Sequence, residues 1–158
     1  MTGPGADAAR LARELEEAAA QGFDAWNQAL ADHLDDSVEI RHAPPAPDLD
    51  GRRSRVAAIA YLRAEAEAFP RAFTQFELRV GLVVSDEDSI SGNLWYRGVL
   101  GPPQPVPVSV GFGVELGLSG GRINLLAGSP LAETSRRDLV AWLKAVEAAG
   151  GFHPPRAG

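Results

Sequence analysis

Residues 106–129 read VPVSVGFGVELGLSGGRINLLAGS. Every even position from Val106 to Leu118 is apolar (Val106, Val108, Val110, Phe112, Val114, Leu116, Leu118), whereas the odd positions carry Pro107, Ser109, Gly111, Gly113, Glu115 and Gly117. A period of two over that length predicts a strand with one packed face. Gly120 and Gly121 predict a tight turn, and the segment after them a returning strand. On the second face, glycines strip away side chains around one carboxylate, and glycine inside a strand marks a bend or the close approach of another group. Two readings follow: a hollow with Glu115 in its wall, or a strongly curved sheet with Glu115 on a wet surface.

Upstream of this hairpin, 73–85 (FTQFELRVGLVVS) reads as a strand with Phe76, Leu78, Val80 and Leu82 on one face. Residues 90–99 (ISGNLWYRGV) read as its partner across the SDEDS turn. In the partner, Gly92, Leu94, Tyr96 and Gly98 share one face with Ile90, and Asn93, Trp95 and Arg97 the other with Ser91. The loop LGPPQP joins it to the long strand. Before the strands come helices predicted over 6–20, from Asp24 as N-cap through His33, and over 52–69, where Ile59, Leu62, Ala66 and Phe69 form the inward stripe. Glu65 flanks that stripe and Glu67 points away. Between the second and third helices, 37–42 (SVEIRH) reads as a short strand with Val38, Ile40 and His42 on one face, followed by the proline-rich rim APPAPDLDG. After Pro130, Ser135 reads as the N-cap of a last helix, with Asp138 three residues on in the manner of a capping box. The tail GFHPPRAG reads as a fraying end with His153 on the surface. The order is an α+β layout, with residues 6–130 as the main domain and 134–150 a helix appended to it.

Composition narrows the function. With 15 basic against 21 acidic residues, a net charge of −6 and no basic stripe, nucleic acid is disfavoured as a partner. No apolar run approaches membrane-spanning length and MTGPGADAARLAREL lacks a signal-peptide core, so a cytoplasmic protein with no membrane partner is expected. The absence of cysteine removes disulfides, thiolate nucleophiles and cysteine-ligated metals, and His33, His42 and His153 have no zinc-motif spacing. Neither metal nor cofactor is expected.

The helix pair ending in HLDDSVEIRH, the proline loop, GRR opening a helix that ends in AFP, FEL beginning a strand, WYRG ending another and a hairpin turning on GGRI together resemble the SnoaL-like branch of the NTF2-like superfamily. The resemblance covers roughly residues 10 to 130. It implies a curved antiparallel sheet wrapped by helices into a cone around a blind pocket. It also implies that the face of the second-last strand carrying Gly111, Gly113 and Glu115 looks into that pocket, with Leu94 and Tyr96 from the neighbouring strand, Asn124 and Leu126 from the last, and Ile40 and His42 from the first. Trp26 is expected beside the substrate. The acids of the isomerases and of the aldol cyclases are missing: Ile40 stands near one position and LLAGSP lacks the other.

The expected catalytic groups are then Glu115, Tyr96, His42 and Glu65. Proton-handling side chains in an apolar pocket suit general acid/base chemistry. Epoxide-opening ring closure of a small, largely apolar natural-product intermediate is favoured over an aldol cyclisation. An epoxide hydrolase or isomerase of the same fold, or a non-catalytic binding module, is the alternative. A homodimer through the convex sheet face, at Asn93 and Trp95, is expected.

Overall fold

The computed structural model describes residues 4–101 and 105–156, so the middle of the predicted loop LGPPQP lies outside the described residues. Two helices, α1 (Pro4–Gln21) and α2 (Phe23–Asp32), lead into β1 (Leu34–His42) and β2 (Gly51–Ser54). There follow α3 (Arg55–Arg71), β3 (Phe73–Asp86), β4 (Ser89–Leu100), β5 (Val106–Ser119), β6 (Arg122–Pro130) and α4 (Arg136–Ala148). The strands form one curved, unclosed sheet in the order β2-β1-β6-β5-β4-β3. It is mixed rather than wholly antiparallel, because β1 runs parallel to β6. Among the described residues no helix is long and apolar enough to cross a membrane.

The predicted third helix starts three residues late. Residues 51–54 pair with β1, Val38 opposite Arg53, and the Ser54 hydroxyl caps α3 by accepting the Ala57 N–H at 3.2 Å. Its buried residues are Ala58, Tyr61, Leu62, Ala68 and Phe69, so the inward stripe is rotated from the predicted one. Ile59 and Ala66 instead line a groove between α2 and α3. The cap of α2 is Gly22 rather than Asp24, which brings Phe23 into the helix and into the core.

Apolar even positions dictate the packed face of β5, as their period predicts. Val110 and Leu116 are buried against the helices with Leu94 and Tyr96. The turn after β5 needs left-handed backbone at two successive residues, and Gly120 and Gly121, with φ of 59° and 78°, supply it. In β4 a glycine is required for a different reason. A Cβ on Gly98 would stand 1.9 Å from the Gln75 carbonyl oxygen, a backbone atom that cannot rotate away. Gly98→Ala is therefore expected to destabilise the fold by about 1–3 kcal/mol or more, measured by chemical denaturation, because only a shift of β3 makes room.

The start of α4 is tied to the free edge of β5. Thr134 Oγ1 accepts the Gly111 N–H at 2.8 Å and donates to the Gly111 carbonyl at 2.9 Å, and Asp138 accepts the Ser109 N–H at 3.1 Å. Ser135 caps the helix by accepting the Asp138 N–H, as expected. The Asp138 carboxylate serves the strand edge, so the reciprocal half of a capping box is replaced by an anchor. The tail is not frayed over its described part: Gly151 is buried and the Phe152 ring packs on Tyr61 and Phe69 at centroid distances of 5.4 and 5.1 Å.

Candidate functional site

The two faces of the sheet divide the expected site residues. Directly paired residues of an antiparallel ladder point to the same side. Tyr96 pairs with Val110 and Leu94 with Phe112, which places both on the inner face. Trp95 pairs with Gly111, Asn93 with Gly113 and Ser91 with Glu115, which places those glycines and Glu115 on the outer face. Glu115 is exposed there, in the wall of an open hollow of about 640 Å³ that is also lined by Arg41, Val83, Asn93, Ser129 and, at the end of β1, His42. The expectation that Glu115, Gly111 and Gly113 share a pocket with Tyr96 is thus corrected. Gly111 is bare because the Trp95 ring lies on it, with ring atoms 2.8 Å from where a Cβ would stand. Asn124 also leans outward: at the irregular pairing after Gly117 its Oδ1 approaches within 2.9 Å of the place a Gly117 Cβ would take. Ile40 and His42 align with Leu126 and Gly128 on the inner side. Trp26, Ile40 and Leu94 are core residues there, and Leu126 packs against them.

Within the cone the polar groups come from α3, β1 and the rim. His42 Nδ1 lies 2.6 Å from Asp50 Oδ1, and Asp50 Oδ2 accepts the Ala46 N–H at 3.0 Å. With the Nδ1 proton directed at the carboxylate, His42 Nε2 is the acceptor that faces the Tyr61 hydroxyl at 3.1 Å. Burial raises the Asp50 carboxyl, but the bonds from His42 and Ala46 and the charge of His42 outweigh it, so the group is held below its usual range. One helical turn beyond Tyr61, Glu65 is half-buried on the same side of α3. Burial pushes its carboxyl up to about 8, with the Tyr61 hydroxyl pulling the other way. Burial and then the Glu65 charge raise Tyr61. Tyr96, in turn, is raised by burial and by Glu65 and Tyr61. Glu65 is thus a neutral acid near pH 7, and both phenols are hydrogen-bond donors.

Around these groups stands a wall of rings. Tyr96 is within 5.5–5.8 Å, centroid to centroid, of Phe23, Phe69, Phe76, Phe112 and Trp142. The Arg53 guanidinium lies 5.0 Å over the Tyr61 ring, and burial lowers its pKa.

Sequence reasoning named His42, Tyr96 and Glu65 but missed Tyr61, Asp50 and Arg53. The spacing of Tyr61, Glu65 and Phe69, four residues apart on one helical face, is the signal that would have found the first. Asp50 had no comparable signal, since the rim loop alone brings it back to His42.

No protein-family model and no curated protein matches the sequence. Solved structures do match in shape. A protein of Jannaschia sp. CCS1 named as a candidate SnoaL-like polyketide cyclase superposes with a TM-score of 0.55 at 17% identity, over 90% of either chain. A candidate polyketide cyclase of Xanthomonas campestris pv. campestris gives 0.58 at 15%, over 91% of this chain and 99% of the other. An LEH-like epoxide hydrolase of M. tuberculosis gives 0.55 at 14%, over 90% and 91%.

Proposed function

The chain has the fold of the SnoaL-like and NTF2-like proteins, and from that premise we propose that it is a cofactor-free acid/base enzyme that closes a ring in a small, largely apolar molecule by opening an epoxide. The observation that carries this reading is the run Asp50, His42, Tyr61, Glu65, in which a hydrogen-bonded base stands beside an acid that is neutral at pH 7. Opening an epoxide with an internal hydroxyl needs both at once. The nucleophilic hydroxyl gives its proton to Tyr61 as Tyr61 passes its own to His42 Nε2, and Asp50 stabilises the imidazolium. The new C–O bond forms while the epoxide C–O bond breaks, and Glu65 protonates the departing oxygen. Return of the proton from His42 through Tyr61 to Glu65 restores the site. The reaction is an isomerisation with no redox change. Orientation of the two reacting groups by the surrounding rings supplies much of the rate.

Incubation with epoxy-alcohols, followed by mass spectrometry, tests it: the product has the mass of the substrate and a different retention time. Incorporation of oxygen from labelled water would instead make the protein a hydrolase, with water in place of the internal hydroxyl. Tyr61→Phe breaks the relay without emptying its volume and is expected to lower kcat by about 10²-fold, with little change in KM. Glu115→Gln is expected to leave turnover unchanged, which separates the inner set from the outer face.

The outer face supports a second proposal, a homodimer. Exposed Val83, Asn93 and half-buried Trp95 share it around an open hollow. A monomeric mass in light scattering at working concentration refutes it.

A further inference from the structure

Arg53 is an unusual tenant of the cone. It is 2% exposed, and among the described residues no carboxylate stands within ion-pair distance of it. Its guanidinium donates to two backbone carbonyls, that of Leu49 at 3.1 Å and that of Pro155 in the tail, and its Nε is buried with no partner. A buried cation gains far more from a carboxylate, which can take two donors at once, than from neutral carbonyls. The half of its shell that could be exchanged is the part the tail supplies.

The tail also fills space. Phe152 lies against Tyr61 and Phe69, inside the aromatic wall that carries Glu65 and Tyr96. Apart from the Phe152 ring and the Arg53–Pro155 bond, its attachment is light. The tail leaves α4 through Gly150 and Gly151, whose φ values of 120° and 78° are glycine conformations, and the ion pair that holds its end is Arg156 with Asp48, 4.0 Å apart and both 83% exposed. Such a pair contributes little. By contrast α4 is held by its cap, by Asp138 on β5 and by buried Trp142. The tail can therefore leave while the helix stays.

We propose that residues 152–156 occupy the ligand site: the Phe152 ring and the Pro155 carbonyl stand where a ligand's planar ring and its anionic oxygen bind, and the ligand is an aromatic or conjugated acid held as its anion by Arg53. The proposal rests on the acid/base reading for the position of the reacting groups and adds the class of substrate. The buried, unpartnered Trp142 Nε1 offers a second donor in the same cluster.

The test uses the full chain and two probes of one shape, 2-naphthoate and its uncharged methyl ester, with affinity measured by calorimetry. Phe152→Ala weakens the competing tail and is expected to bind 2-naphthoate about tenfold more tightly than the parent, because the open state is more populated. Both proteins are expected to prefer the acid to the ester, and Arg53→Gln to abolish the preference. Should Arg53→Gln not fold, the acid-to-ester ratio in the other two proteins decides. Saturation with 2-naphthoate is also expected to speed amide exchange at residues 152–156. Equal affinity for acid and ester, no gain in Phe152→Ala, unchanged exchange in the tail, or no binding of 2-naphthoate to either protein overturns the proposal. None of these readings requires turnover. Any of them leaves the acid/base reading standing, to be judged by the isomerisation assay.

Discussion

Glu65→Gln is expected to lower turnover by about 10²–10⁴-fold while making the protein more stable at alkaline pH, a pairing that a merely structural glutamate would not produce. The amide keeps the shape of the neutral acid but has no proton to give to a departing oxygen. The stability change follows from linkage. In the unfolded chain this carboxyl ionises around its ordinary 4.5, whereas in the fold it keeps its proton to about 8. The folded state thus binds the extra proton between those values, and its stability falls as pH rises through that window. The contribution is fully present below about 4.5 and gone above about 8. Glutamine does not ionise, so the variant gains on the parent by roughly 2 kcal/mol or more at pH 9 and by nothing at pH 4.5. Denaturation curves at the two pH values check this, and equal gains at both would refute a buried neutral acid. The same titration gives the activity profile. Glu65 works as the proton donor, so kcat is expected to fall as pH rises through about 8.

Phe69→Ala is expected to cost about 3–5 kcal/mol, a large share of the stability of a chain this size. The ring meets Phe23, Trp142 and Phe152 at 6.1, 5.1 and 5.1 Å and Tyr96 at 5.8 Å, so it joins α2, α3, α4, the tail and the sheet. Removing it leaves a cavity bounded by stiff rings that cannot collapse into it, the case in which the cavity cost is greatest. The midpoint of thermal unfolding is expected to drop by about 10 °C. Val56→Ala, at a side chain 78% exposed on α3 and away from the proposed dimer face, is the control and is expected to change stability by less than about 0.5 kcal/mol. A cost below about 1 kcal/mol for Phe69→Ala would mean that the rings are already loosely packed.

Much of the architecture was legible because it is local. The alternation from Val106 to Leu118 specified β5 and its buried face, Gly120 and Gly121 specified the turn, and Ser135 specified the start of α4. Each signal acts through neighbours in the chain. The order of elements and the resemblance to the SnoaL-like branch then led to the cone.

The site was legible only in part. Tyr96, His42 and Glu65 were read onto the inner side, but Glu115 was read there too, because glycines beside a carboxylate describe a bare face and not the side that face looks toward. Alternation divides a strand into two faces; pairing decides which of them meets the helices. Once Trp95 stands opposite Gly111, the face that holds Glu115 cannot be the face that holds Tyr96. The remaining members are products of chain return over long separations. Asp50 reaches His42 through the folded rim, Arg53 enters the cone because residues 51–54 pair as a strand, and Phe152 reaches Tyr61 from the far end of the chain. The sequence by itself determined most of the elements, the packed faces of the long strands and the stock of proton-handling groups, since these depend on side-chain period and type. Only the tertiary structure decided which of those groups share one low-dielectric interior, because burial and charge coupling are properties of the assembled cone and of no segment within it.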